Sequence, residues 1–468
     1  MWIKRSADYS CNEDPGGSKR RCHRASRNLT RRCEAQIPFG KGTSMPLHIL
    51  CISWGTSGNL SPMLTAGRQL RRAGHHVRVM ADPAMRGEVE GAGFPFITWR
   101  RAPTGCKADP TDHSDMRDWN RRAIFAPAAA YAADTFDEIR RSRTDAVLGL
   151  DILFGCALGA EAAGVPYAML SPHVSIRPVP GIPPTSSGLN PPTSPEEHAQ
   201  VAAAAERIVT LMDGFLPLLN RARAGLGLRP LARTFDLYDR VDRVFLAISA
   251  AFDFEATALP WNYRYVGPLL DEPVWSKSEL PAWPATKRPR VLIACSTGAQ
   301  NQTELIQRIV RAVGSVDVEA VVTAGLKVRL EDLPATENVR VVPAAPHDSV
   351  MDQVSLVVSQ GGHGTVSRAL LHGLPLLVIP IGRDQGDNAA RVQVRGAGLS
   401  LPPTALEAEI ADAVRWLLAE PRFRAAATRL GAAMRADMDA AGLVPEIEAM
   451  AVAPYAPTRA QARERTPA

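Results

Sequence analysis

Apolar positions along this chain come in two rhythms. Short unbroken apolar runs are separated by stretches in which apolar residues recur every three or four positions. The short runs predict strands buried on both faces, and the longer stretches predict helices lying against those faces. The first unit reads as a strand over 47–53, then a helix capped by Ser61 with Pro62 at its first position, running to about residue 73. Gly74 ends it, and a strand over 76–81 follows. The same grammar returns as a strand over 146–150, a helix over 154–163, Gly164, and a strand over 167–170. A second series opens with a strand over 291–295 and a helix over 303–313. Strands over 320–323, 339–342, 356–358 and 376–379 continue it, and helices over 405–418 and 422–438 close it. Alternation of this kind predicts an α/β chain with two Rossmann-like, doubly wound parallel sheets. Between the series, 178–195 is proline-rich and predicts a long loop, 196–224 reads as helical, and 269–290 reads as an interdomain linker.

The domain reading is therefore a first domain over 45–270, a linker over 271–290 and a second domain over 291–455. Residues 1–44 lack periodicity and are rich in Arg, Ser and Gly, which predicts a disordered basic extension. Met45 stands where a shorter chain would start, so whether 1–44 is made in the cell stays open, as does a role for it as an arm on an acidic surface. Residues 456–468 read as a disordered tail.

Charge changes the picture less than its total suggests. The net +6 comes entirely from residues 1–44, with ten Lys and Arg against four Asp and Glu; the remainder carries 44 of each. No nucleic-acid surface is therefore expected on the folded body. The longest membrane candidate, 146–170, is interrupted by Asp151 and Glu161, and 1–44 lacks the apolar segment of a secretory signal. A cytoplasmic protein without integral membrane contact is expected. Cys11, Cys22 and Cys33 lack paired metal-ligand spacing, and Cys51, Cys106, Cys156 and Cys295 are scattered, which predicts free and mostly buried thiols.

The candidate chemistry lies in 357–401. A glycine-rich turn, Gln360-Gly361-Gly362-His363-Gly364-Thr365, follows an apolar strand and leads into a predicted helix over 366–372. The loop after the next strand carries Asp384, Gln385 and Asn388. A strand, a glycine turn and a helix N-terminus form an anion cradle, because backbone N–H groups and the positive helix end converge there. Three linked blocks at fixed spacing, Gln360–Thr365, 369–375 and 384–392, resemble the C-terminal domain of bacterial nucleotide-sugar glycosyltransferases of the GT-B fold. The likeness is to the UDP-glucuronosyl/glucosyltransferase-like enzymes that glycosylate macrolides, enediynes and other lipophilic natural products.

The resemblance implies two domains facing across a cleft and an inverting, metal-independent transferase. It would move a sugar from a UDP- or dTDP-sugar co-substrate, with no other cofactor, to a hydroxyl of a small lipophilic acceptor, as a monomer or homodimer. It assigns the diphosphate to Gly361, Gly362, Gly364 and Thr365, with Ser296 and Thr297 on the other side, and the donor-sugar hydroxyls to Asp384 and Gln385. Asn388 reads as a cap of the following helix. Gln360 stands where the family carries His, and His363 reads either as a substitute imidazole toward the phosphate or as an exposed loop residue. At the family's base position stands Asn59, whose carboxamide cannot take a proton. Asp112, His113 and Asp115, in a loop before Trp119, and His173 after a strand are alternative bases; an acidic acceptor needing no base is a further possibility. The loop 174–195, with Phe154 and Trp119, suggests an apolar acceptor. Two other readings stay open: a non-catalytic nucleotide-sugar binder, perhaps a partner of another enzyme, and an epimerase or hydrolase on the same fold. A nicotinamide enzyme is disfavoured, because the turn Gly55-Thr56-Ser57-Gly58 lacks the dinucleotide glycine pattern.

Overall fold

The computed structural model describes residues 45–54, 57–104, 113–270, 283–295, 302–325 and 328–452. In chain order the first domain comprises β1 (His48–Ile52), α1 (Ser57–Arg72), β2 (His76–Ala81), α2 (Arg86–Gly91), β3 (Phe96–Thr98), α3 (His113–Asn120), α4 (Ala128–Arg141), β4 (Ala146–Leu150), α5 (Phe154–Ala163), β5 (Tyr167–Ser171), α6 (Pro195–Asp213), α7 (Leu216–Gly225), β6 (Arg243–Leu246) and β7 (Tyr263–Tyr265). The second comprises β8 (Arg290–Ala294), α8 (Thr303–Gly314), β9 (Glu319–Thr323), β10 (Val339–Val342), α9 (His347–Met351), β11 (Leu356–Ser359), α10 (His363–Leu371), β12 (Leu376–Val378), α11 (Gln385–Val394), β13 (Gly398–Ser400), α12 (Glu407–Ala419), α13 (Pro421–Ala440) and α14 (Leu443–Val452).

Both sheets are parallel throughout. The first runs β3-β2-β1-β4-β5-β6-β7 and the second β10-β9-β8-β11-β12-β13. Each reverses direction of growth once, at β1/β4 and at β8/β11. The crevice beyond the strand ends at such a reversal is where open α/β sheets bind ligands. The period-two rule sorts the second sheet's core. Val291, Ile293, Leu356, Val358 and Leu377 point to the face covered by Ile306 and Ile309 of α8 and Ile410 and Val414 of α12. Leu292, Val357, Leu376 and Val378 point the other way, toward Val366 and Leu370 of α10 and Leu430 and Met434 of α13. At about 1.5–3 kcal/mol for each fully buried aliphatic side chain, these two layers supply most of the favourable folding term.

Three helix boundaries differ from the pattern reading, each for a local reason. α1 begins at Ser57, not after Ser61: Pro62 sits inside it, and the carbonyl it cannot serve belongs to exposed Gly58, where water can. The region 196–224 is two helices, because Pro217 has no N–H for the carbonyl of Asp213; α6 itself starts with Ser194 and Glu197 capping each other around Pro195. α10 begins at His363, since Gly362 already accepts from the Val366 amide at 3.0 Å. The second-domain boundary also needs amending. α14 lies within the predicted 291–455 segment yet packs on the first domain, with Leu443 and Ile447 in that core. Its Glu446 pairs with Arg243 and with Arg264 at 2.7 Å. No helix among the described residues is long and apolar enough to cross a membrane. Cys51, Cys156 and Cys295 are buried free thiols, pushed up to about 12 by burial. The extension 1–44, most of the linker (271–282), Cys106 and the tail from 453 lie outside the described residues.

Candidate active site

The turn after β11 is held in a shape only glycine permits. Gly361 has φ +98°, and a Cβ there would sit 2.7 Å from Val378 Cγ1 and 3.0 Å from the Gln385 carbonyl. Its amide donates to Ser359 Oγ at 3.1 Å, and its carbonyl accepts from Asn388 Nδ2 at 2.9 Å. Gly362 has extended backbone as the N-cap of α10, so the first-turn amides of that helix open at the β8/β11 reversal. Gly364 is exposed and Thr365 half-buried, while Gln360 is buried beside Ser359. Ser296 and Thr297 lie outside the described residues.

The β12–α11 loop meets this turn. Asp384 is half-buried and accepts from Asn388 Nδ2 at 3.0 Å. The Asn388 amide thereby ties the two loops together, a cross-link in place of the expected helix cap. Gln385 is buried, and its Oε1 accepts from the amides of Ile381 at 2.8 Å and Gly382 at 3.2 Å. Its carboxamide oxygen therefore builds the loop that carries Asp384. His363 is not an exposed loop residue. Its Nε2 lies 3.1 Å from the Ala247 carbonyl of the first domain, its Nδ1 is buried without a hydrogen-bond partner among the described residues, and burial pushes its pKa down.

α11 also reaches across the cleft. Asp387, 2% exposed, accepts from the amides of Ser186 at 2.6 Å and Gly188 at 2.8 Å, which fixes the proline-rich loop against α11. Gly188 and Gly386 pack backbone to backbone there. Burial pushes the Asp387 carboxyl up to about 6, against the opposing pull of those two amides and Arg391. Arg391 is buried and pairs with buried Asp253 through Nη2 at 2.6 Å and Nε at 3.0 Å. Asp253 also accepts from Tyr265 at 2.9 Å. None of Asp387, Asp253 or the Arg391 pairing stood out in the sequence reading, although Asp387 and Arg391 lie inside the third motif block.

On the first domain, Asn59 lies in the opening turn of α1, half-exposed. His113 and Asp115 belong to α3 and not to a loop; their side chains, and Asp112, lie outside the described residues. Phe154 is not an acceptor-facing residue: it is core, stacked on Phe125 at 5.2 Å and edge-on to Tyr238. Trp119 packs edge-on against Trp54 at 5.5 Å. His173 leaves β5 with Nδ1 2.8 Å from the Val174 carbonyl and Nε2 3.8 Å from Asp151. Asp151, first after β4, is 1% exposed, and neither of its oxygens has a hydrogen-bond partner among the described residues; burial pushes its carboxyl up, against the opposing pull of His173, the Ser171 hydroxyl and the Ile152 amide. In the sequence Asp151 had registered only as a break in an apolar run. A lone carboxylate at the end of a parallel strand beside the reversal was the overlooked signal.

The Gly361 turn with the β12–α11 loop, and the Asp151–His173 pair, thus stand at the ends of two parallel sheets, with Asp384 and Asp387 near enough to His173 to raise its pKa. Residues 307–450 match the family model "Erythromycin biosynthesis protein CIII-like, C-terminal domain". The 4'-demethylrebeccamycin synthase of Lentzea aerocolonigenes is 29% identical over 427 residues, covering 86% of this chain and 99% of that protein. The 3-alpha-mycarosylerythronolide B desosaminyl transferase of Saccharopolyspora erythraea is 26% identical over 445 residues, covering 86% and 98%. The crystal structure of glycosyltransferase VinC in complex with dTDP superposes with a TM-score of 0.60 at 20% identity, over 86% of this chain and 99% of that one. The chain has the GT-B fold and is a glycosyltransferase, and its C-terminal domain resembles that of natural-product glycosyltransferases. This glycosyltransferase assignment displaces the reading as a non-catalytic binder. Among the described residues of the glycosyltransferase, no group of three His, Cys, Asp or Glu is arranged to hold a metal ion.

Proposed function

We propose that this glycosyltransferase moves a sugar from a UDP- or dTDP-sugar to a hydroxyl of a small lipophilic acceptor, with inversion at the anomeric carbon and without a metal. The observation that carries the reading is the Gly361 turn, whose positive φ and tight seat open the α10 N-terminus to an anion at the sheet reversal. The dTDP-bound relative supports a nucleoside diphosphate there. Charge building on the leaving diphosphate would meet the α10 amides and the Thr365 hydroxyl. Asp384, at the loop edge, has the chemistry to accept from vicinal sugar hydroxyls, with Gln385 holding that loop in shape. Inversion follows if the acceptor attacks from the first-domain side as the C1–O bond to phosphate breaks. The natural-product relatives support a lipophilic acceptor.

The test is to incubate the chain with UDP- and dTDP-sugars and a panel of phenolic and macrolide alcohols. A new glycoside by mass spectrometry, with anomeric configuration opposite to the donor's by proton coupling constants, is the expected product. A retained configuration would refute the single-displacement step. Undiminished activity after exhaustive chelation is expected, and a metal requirement would remove that part of the reading.

A further inference from the structure

A proton must leave the acceptor hydroxyl as its oxygen attacks, and Asn59 cannot receive it. Among the described residues, the structure brings an imidazole to this edge. His173 follows β5 and Asp151 follows β4, next to the β1 end that leads to Asn59. The Val174 carbonyl can only accept, so at 2.8 Å it keeps the imidazole proton on Nδ1 and leaves the Nε2 lone pair free. Nε2 lies on the side of Asp151, 3.8 Å away, and the ring is 23% exposed while the carboxylate is shut away from water. Burial pushes the Asp151 carboxyl up, and a positive charge on the neighbouring His173 is the largest influence pulling it back toward the charged form.

We infer that His173 is the catalytic base of this glycosyltransferase, with Asp151 as its positioning and charge-compensating partner. This inference rests on the transferase reading above. As the acceptor oxygen forms its bond to C1, its proton passes to His173 Nε2, and the electron pair of the breaking C1–O bond leaves with the nucleoside diphosphate. The imidazolium returns its proton to solvent after release.

The charges facing the ring all bear on its titration. Asp151 from the β4 end and Asp384 and Asp387 from α11 and its approach raise the His173 pKa, and with the Val174 carbonyl they outweigh the lowering by burial. His363 of α10 lies near enough for a charge on His173 to push its pKa down. The base is competent only when neutral, so turnover rises with pH through a value above that of an ordinary histidine. Removing the Asp151 charge shifts that limb to lower pH and weakens the base.

The test uses the full chain with UDP-glucose and dTDP-glucose, water and 4-methylumbelliferone serving as acceptors, and histidine-labelled protein for imidazole NMR. His173→Gln should lower turnover about 100-fold or more, the usual range of a general base, while melting shifts caused by UDP or dTDP are retained. Asp151→Asn should lower turnover about 10-fold and move the acid limb to lower pH. Turnover by His173→Gln within threefold of wild type would overturn the inference. If neither donor is turned over, the transferase reading is what fails, and the dyad is decided by titration of the His173 ring, assigned by its loss in His173→Gln. A fall in its pKa on Asp151→Asn supports the pair; an unchanged pKa overturns it.

Discussion

Replacing Arg391 with Met removes one half of a buried interdomain ion pair. Arg391 gives Asp253 two hydrogen bonds, at 2.6 and 3.0 Å, gives a third to the Asp387 carbonyl at 2.9 Å, and lies over the Phe254 ring at 4.4 Å. Methionine fills most of the volume but strands the Asp253 carboxylate. The carboxylate keeps the Phe254 amide at 2.8 Å and Tyr265 at 2.9 Å, so the cost sits at the low end of the range for a broken buried pair, about 3 kcal/mol. In a chain of this size that is a fall of roughly 3 °C in melting midpoint. Adding Asp253→Asn to Arg391→Met removes the stranded charge and should recover at least half of the loss. The assay is thermal unfolding of wild type, both single variants and the double, read as a cycle. A fall under 1 °C for Arg391→Met, or simple additivity in the double variant, would refute the claim that this pair joins α11 to the first domain.

Gly361→Ala should lower the midpoint by the equivalent of about 1–3 kcal/mol, from positive φ and the contacts its Cβ would make, and should abolish any melting shift by UDP or dTDP; a retained shift would count against the turn as the diphosphate cradle. Asp387 carries a raised carboxyl, so its stabilising contribution is full below its ordinary value of 3.8 and is lost as pH rises through about 6. That is on the order of 3 kcal/mol, and Asp387→Asn should flatten the midpoint-versus-pH curve between those values; an unchanged slope would show that Asp387 does not titrate there. Gln385→Ala should destabilise the ligand-free chain by about 1–2 kcal/mol, because it unties the Ile381 and Gly382 amides. Loss of sugar-nucleotide binding with no change in the ligand-free midpoint would instead make Gln385 a direct sugar contact.

The strands were legible because parallel sheets bury both faces: 76–81, 146–150 and 339–342 fall on β2, β4 and β10 as read. Helix starts were less legible. Ser61-Pro62 carries every local sign of an N-terminus, yet α1 starts earlier because the unsatisfied carbonyl is exposed. α4, rich in alanine, and the short strands β3, β6, β7 and β13 had no strong period and were not anticipated. The donor loop could be read as a linear motif, since its glycines and polar residues are contiguous. The acid–base pair could not: Asp151 and His173 are neighbours only through the pairing of β4 with β5. The same holds for Asp253 with Arg391, 138 positions apart. Side-chain aim was the other blind spot. Gln385 and His363 have the chemistry of ligand readers, but the structure turns Gln385 Oε1 onto backbone amides and His363 Nε2 onto a backbone carbonyl.

On the function proposed above, the α10 N-terminus binds a nucleoside diphosphate. Thermal unfolding of the chain over a titration of UDP and dTDP tests it most directly, with Gly361→Ala as the comparison. A rise of several degrees is expected for one nucleotide, corresponding to about 2.7 kcal/mol at a hundredfold excess over Kd, and none for the variant. No rise with either nucleotide at millimolar concentration, or an equal rise in the variant, would contradict it.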